Sequence, residues 1–229
     1  MRSPMSDAPI VELIDVSRVY GDGETRVAAL QGACLAIRPG DFACAAGPSG
    51  SGKTTLLNLA GLLDRPTSGE IFVGGEPTSN LAGTGRAELR KGAIGFVFQD
   101  ANLLAVLTAA ENVEFALMLR GVGEAERKAR ALEALEMVGI RGKADRLPRR
   151  MSGGERHRAA IARAVAVRPK LIIADEPTAS LDGETGQAVI ELLAAINRAE
   201  GTAFLLSSHD PKMIDGARTV IRLRDGRIE

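Results

Sequence analysis

The sequence predicts an α/β domain with a small antiparallel β part and an inserted helical subdomain. Three observations carry that reading. Short runs such as Phe42-Ala43-Cys44-Ala45-Ala46, Leu171-Ile172-Ile173-Ala174 and Ala203-Phe204-Leu205-Leu206 are apolar on both faces, as buried parallel strands are. Residues 10–20 alternate apolar and polar side chains, and 66–80 carry paired turn signals, as antiparallel strands do. From about 102 to 150 the apolar residues switch to helical spacing among charges. A chain of 229 residues with 45% hydrophobic content suits one sizeable domain of this kind.

The chain begins with Met1 to Pro9, which has no apolar signal-peptide centre and reads as a loose tail. Ile10 to Tyr20 is a half-exposed strand. Tyr20, the only tyrosine, is either a sheet-edge aromatic or a platform for an adenine ring. Gly21-Asp22-Gly23 turns into a second strand region, 27–38, and Pro39-Gly40-Asp41 turns into the strand at 42–46. Gly47-Pro48-Ser49-Gly50-Ser51-Gly52-Lys53-Thr54-Thr55 follows, with the spacing Gly, four residues, Gly, Lys, Thr. The run Leu56 to Leu63 after it reads as a helix. In that context the glycines let successive N–H groups face inward, and the helix start adds its orphan donors. Lys53 then reaches β- and γ-phosphates, and the Thr54 hydroxyl is a ligand for Mg²⁺.

Ile71-Phe72-Val73 is the short strand of a hairpin at 66–80, and Ala93 to Phe98 is a further buried strand ending at Gln99. In the helical stretch, Leu117, Leu119, Leu132, Leu135, Val138 and Ile140 form the apolar positions. Arg149-Arg150 reads as a solvated face. Ser152 and Glu155 form a capping box before a helix over 156–168. Gly153 and Gly154 cost that first turn about 1 kcal/mol each in helix propensity, which makes sense if something approaches the backbone closely there. Asp175 and Glu176 stand at the carboxyl end of an apolar strand, where α/β sheets bind ligands. Asp175 suits the Mg²⁺ shell, and Glu176 suits a general base that polarises water. A loop covers Pro177 to Asp182, and a helix covers Gly186 to Glu200. His209 ends the strand at 203–208 on the same edge as Glu176, where a structural and a functional role are both open. Val220 to Ile228 is a terminal hairpin turning at Asp225-Gly226.

Composition limits the partners. Lys+Arg and Asp+Glu both number 29, so the charge balance gives no reason to expect nucleic acid. The two cysteines, Cys34 and Cys44, lack metal-like spacing, and Cys44 reads as a small core residue in a reducing compartment. No apolar run approaches the roughly 20 residues of a membrane span.

Over nearly its whole length the sequence resembles the ATP-binding subunit of ABC transporters. The Walker A motif falls on 47–55, the Q-loop glutamine on Gln99, and the signature on Met151 to Glu155. Walker B falls on 171–176, the D-loop on Ser180-Leu181-Asp182, the switch histidine on His209 and the adenine-stacking aromatic on Tyr20. The resemblance implies one domain over 1–229 with a RecA-like P-loop NTPase core at 1–100 and 165–229. A helical subdomain at about 101–164 would carry the signature. It implies a head-to-tail homodimer with ATP between one subunit's P-loop and the other's Ser152, Gly153, Gly154 and Glu155. Gln99 would reach Mg²⁺ and the attacking water, His209 would hold the γ-phosphate, and Asp182 would work across the dimer contact. Mg²⁺ ligands would be Thr54, Gln99 and Asp175. The chain would sit on the cytoplasmic face of the membrane against integral permease subunits. Within the family, the phrases Ile94 to Gln99, Leu107 to Val113 and Gly61 to Asp64 are most similar to the lipoprotein-release, macrolide-efflux and cell-division types (LolD, MacB, FtsE). Met151 stands where Leu is usual, and Arg156-His157 where Gln or Arg then Gln is common. His157 reads as a solvated side chain. Three competitors remain: a regulatory ATPase signalling without transport, a soluble relative acting on DNA or ribosomes, and a small-molecule kinase.

Overall fold

The alternation of five apolar residues sets the layers. Strand β3 (Phe42–Ala46) sends Phe42 and Cys44 into one hydrophobic core and Ala43 and Ala45 into another. A strand buried on both faces leaves little room for polar side chains, which is why it reads as an unbroken apolar run. The computed structural model describes residues 8–179 and 181–229. The tail expected at the start of the chain, over residues 1–7, and Ser180 of the D-loop lie outside the described residues.

In order, the elements up to the first helix are β1 (Val11–Tyr20), β2 (Val27–Ile37), β3 and α1 (Lys53–Ala60). Then come β4 (Ser68–Val73), β5 (Glu76–Pro77), α2 (Gly83–Ala93) and β6 (Ile94–Val97). Three helices follow: α3 (Ala109–Met118), α4 (Glu124–Met137) and α5 (Gly153–Ala166). The chain continues through β7 (Leu171–Asp175), α6 (Gly183–Glu200), β8 (Ala203–Ser208), α7 (Pro211–Gly216), β9 (Thr219–Arg224) and β10 (Arg227–Ile228).

Two sheets result. One is antiparallel, in the order β2-β1-β4-β5. The other runs β10-β9-β3-β8-β7-β6 and is parallel except for the final hairpin. Between them lies a core of Leu13, Val16, Leu30, Leu56, Leu57, Ile71 and Leu205. On the other face of the parallel sheet, α3, α4 and α5 pack around Val113, Leu117, Leu135, Val138 and Ile161. Fully burying each such side chain contributes roughly 1.5–3 kcal/mol against chain entropy.

Four local readings change. Helix α1 begins at Lys53, because Gly52 (φ +104) is its N-cap, and ends at Ala60, because Leu62 turns left-handed (φ +57). Helix α6 begins at Gly183 with Asp182 as cap, a turn earlier than the apolar pattern suggests. Helix α5 stops at Ala166, and Arg168 is left-handed (φ +49). Leu119, counted with the apolar face, is the exposed C-cap of α3.

Candidate nucleotide site

The loop between β3 and α1 is closed in on both sides. A side chain at Gly47 would put its Cβ 2.3 Å from the Leu223 carbonyl oxygen of β9. At Gly52 it would lie 2.4 Å from the Ala29 carbonyl oxygen of β2. The first and last glycines of the loop are therefore demanded by backbone neighbours, and the loop is clamped between β2 and the terminal hairpin. The clamp continues in hydrogen bonds from Gly226 N to Ser51 O and from Gln31 N to Gly226 O.

Inside the loop Lys53 is almost fully buried. A buried ammonium needs acceptors, and its Nζ donates to the Gly47 and Pro48 carbonyls at 2.8 and 3.1 Å. Ser51 is buried with a hydroxyl that makes no hydrogen bond. A cation folded over the loop, an uncommitted hydroxyl and the start of α1 together suit a bound polyphosphate.

Beside the loop, the carboxyl ends of β7 and β8 supply the acids. The Ser207 hydroxyl donates to Asp175 Oδ1 at 2.5 Å, and the same oxygen lies 3.4 Å from Thr54 Oγ1. A hydroxyl and a carboxylate converging at the phosphate loop are oxygen ligands of the sort Mg²⁺ takes alongside phosphate and water. Glu176 is left-handed (φ +45), held by its N–H donating to the Ser207 hydroxyl at 2.9 Å and to the Ser207 carbonyl at 3.2 Å. That turn aims its carboxylate at His209, whose Nδ1 lies 2.9 Å from Oε2. Ser207, fully buried, thus sets both acids. Sequence reasoning passed over it. The signal was two serines closing an otherwise apolar strand.

Thr54, Glu176 and His209 line one cleft of about 580 Å³, which Gln99 also lines together with Ser49, Gly50, Thr55 and Lys53. Three expected participants are not among the residues that line it. Tyr20 is fixed by a hydrogen bond from its hydroxyl to Asp64 Oδ2 at 2.7 Å, with the Arg18 guanidinium 4.5 Å from its ring centre. Burial pushes the Asp64 carboxyl up, but the Tyr20 hydroxyl, the Arg65 N–H and Arg18 outweigh it and hold the carboxyl below its ordinary range.

The turn at Ser152 is also outside the cleft. Its capping box is formed: Ser152 Oγ accepts from Glu155 N at 3.2 Å, and Glu155 Oε2 accepts from Ser152 N at 2.9 Å. The Ser152 N–H holds the Glu155 carboxyl below the usual carboxylate range, and Lys143 assists. Gly154 does meet a close neighbour, but within this chain: a Cβ there would lie 2.4 Å from Thr185 Cγ2 of α6. Asp182 is spent on capping α6, accepting from Thr185 N at 2.9 Å and from Thr185 Oγ1 at 3.0 Å, and these bonds hold its carboxyl below the usual range.

His157 corrects the sequence reading. It is buried at 4% exposure, with Nε2 2.9 Å from the Gln99 carbonyl oxygen and Nδ1 3.2 Å from that of Gly153. It is not solvated because the segment after β6 folds over that face of α5, and helical periodicity carries no information about such a crossing.

Comparison with known proteins agrees with this geometry. Residues 30–179 match the family model of the ABC transporter. An uncharacterized ABC transporter ATP-binding protein of Thermotoga maritima is 44% identical over 96% of this chain and 94% of its own length. The lipoprotein-releasing system ATP-binding protein LolD of Bordetella pertussis is 38% identical over 100% of this chain and 99% of its own. The macrolide export ATP-binding/permease protein MacB of Marinobacter nauticus is 44% identical over 98% of this chain, which spans 35% of that longer protein. A dimeric post-hydrolysis structure of the ATP-binding cassette MJ0796, bound to ADP and Pi, superposes with a TM-score of 0.88 at 41% identity, covering 96% of each chain. The chain belongs to the ATP-binding cassettes of ABC transporters and is an ATPase of that family.

Proposed function

We propose that two copies of this chain hydrolyse Mg-ATP head to tail and drive a membrane permease of the export or lipoprotein-release type. One observation carries the dimer. The capped, glycine-rich turn at Ser152 has the form of an anion-binding helix start, yet it lies outside the cleft that holds Lys53 and Glu176. A second copy would bring its Ser152-Gly153-Gly154 turn over the first copy's P-loop, and each site would then be complete. Relatives solved as dimeric cassettes support this reading.

In such a site Lys53 and the loop amides hold the phosphates, and Tyr20 stacks on adenine. Thr54, Asp175 and Gln99 are the residues that would hold Mg²⁺, which when bound offsets charge on the phosphate oxygens. Glu176 takes a proton from water as the water oxygen bonds to the γ-phosphorus and the bond to ADP breaks. His209, already on the Glu176 carboxylate, orients that base and then the γ-phosphate. Asp182 works at the dimer contact.

Among the described residues no helix is long and apolar enough to cross a membrane. In this reading the permease is a membrane partner, and the chain works on its cytoplasmic face. Apolar side chains exposed after Gln99 support that, above all Val106 at 84% exposure with Leu104 beside it. Tagged Glu176→Gln protein, incubated with Mg-ATP and solubilised membranes of the source cell, should recover a polytopic membrane protein. Recovery of ribosomal or DNA-bound proteins alone overturns the reading. Substrate movement in vesicles carrying both proteins separates transport from signalling.

A further inference from the structure

We infer that His157 is a positioning residue that locks the signature turn to the Gln99 loop of the same chain, so that the two move as one body. The inference rests on the assignment of Gln99 and Ser152–Gly154 to the two sides of a dimeric ATP site. Gln99 lines the cleft of its own P-loop. The signature turn would serve the partner's nucleotide. His157 stands between the two, one turn into α5.

The bonding is specific. Both ring nitrogens face carbonyl oxygens, which only accept. A neutral imidazole donates from one nitrogen. Assigning the proton to Nε2 makes the shorter contact, 2.9 Å, a hydrogen bond donated to the Gln99 carbonyl. The ring is buried, so the bond is shielded from competing water. A second side chain of α5 secures the same loop. Arg163 donates from Nη2 to the Ala101 carbonyl at 2.8 Å and from Nη1 to the Asn102 carbonyl at 2.5 Å. Ala101 (φ +59) and Asn102 (φ +45) are both left-handed, a conformation costly enough for non-glycine residues to need such outside support. Three carbonyls of the Gln99 loop therefore hang on one rigid helix. That helix begins at the signature, so a shift of Gln99 toward its own nucleotide carries the signature turn with it. Occupancy of one ATP site is thereby felt at the other.

The test compares His157→Leu, which keeps apolar bulk and loses the donor, with His157→Gln, whose amide N–H can still donate to Gln99. The first readout is amide hydrogen exchange over 98–104 in the nucleotide-free chain. His157→Leu should exchange faster there by about tenfold, and His157→Gln should match the wild type. The second is steady-state ATPase activity: His157→Leu should lose about tenfold in kcat at nearly unchanged KM, with His157→Gln within about twofold of wild type. A His157→Leu protein with wild-type exchange and kcat overturns the inference. So does a loss that His157→Gln fails to recover. The dimer reading is scored separately, by ATP-dependent dimerisation of Glu176→Gln on a sizing column. Its failure there leaves the exchange comparison to decide whether His157 ties the loop.

Discussion

Gly154→Ala offers a sharp test of how the signature helix is seated. The new Cβ would lie 2.4 Å from Thr185 Cγ2, whereas relaxed carbon contacts begin near about 3.5 Å. Thr185 is not free to turn away, because its hydroxyl and its N–H both donate to Asp182 at the start of α6. Helices α5 and α6 must then part by about 1 Å. Overpacking of this kind costs about 1–3 kcal/mol, and alanine returns at most about 1 kcal/mol in helix propensity. The expected net loss is about 1–2 kcal/mol, a fall in Tm of about 3–6 °C for a domain of this size. Thr185→Ser removes the offending methyl and keeps the hydroxyl for Asp182. The double variant should melt near wild type, giving a coupling energy of about 1 kcal/mol or more. Gly153→Ala is the control. Its Cβ would sit 3.7 Å from Leu181 Cδ2, an ordinary contact, so its Tm should hold or rise by up to about 4 °C from the gain in helix propensity. Thermal and urea unfolding of the four variants and the wild type decides the matter. A Gly154→Ala protein as stable as wild type, or no rescue by Thr185→Ser, would refute the close approach of the two helix starts.

Glu176→Gln should keep ATP binding and lower turnover by about 10²–10⁴, the usual size of a general-base effect, read by phosphate release. An active variant removes Glu176 from that role. Lys53→Ala should weaken ATP binding by about 10–100-fold in a calorimetric titration, the scale of lost charge-assisted hydrogen bonds; an unchanged Kd rejects the assignment. Burial, with the Glu176 charge adding, pushes the Cys44 thiol up from 9.0 to about 11. The folded chain then keeps a proton that the unfolded chain gives up. This contribution to stability is full below pH 9 and is lost as pH rises toward 11. A thiol reagent at pH 8 should count one reactive cysteine in the folded protein, the exposed Cys34, and two in denaturant. Two rapid reactions in the folded protein would contradict that burial.

Much of the architecture was legible because its signals are local. The strand–loop–helix at 42–60, the apolar strand running into Asp175 and the capping box at Ser152 each sit within one short window. What escaped depends on distant partners. Helix α2 carries Gly83, Gly85 and Gly92 and has little intrinsic helix preference. It is fastened instead by Arg86, buried and donating to the Asp64 carbonyl, and by Arg90 on the Leu62 carbonyl. His157 and Ser207 escaped for the same reason. Their roles come from the Gln99 loop and from Asp175, which reach them across the fold. The spacing of the site motifs was readable in one dimension, but nothing in it reveals that the Ser152 turn does not line the Lys53 cleft of its own chain.

The position of β3 between β8 and β9 has a consequence for synthesis. Its sheet neighbours are encoded about 160 and about 175 residues downstream of it. At roughly 5–20 residues per second, a ribosome needs about 8–35 s to supply them. Over that interval the nascent chain presents Phe42–Ala46 with both edges unpaired, next to a phosphate loop whose walls, Leu223 and Gly226, do not yet exist. Helices α3, α4 and α5 depend on nearer contacts and can settle meanwhile. Nucleotide capture is therefore among the last abilities the growing polypeptide acquires, and the unpaired strand is where a chaperone or an aggregation partner would find it first.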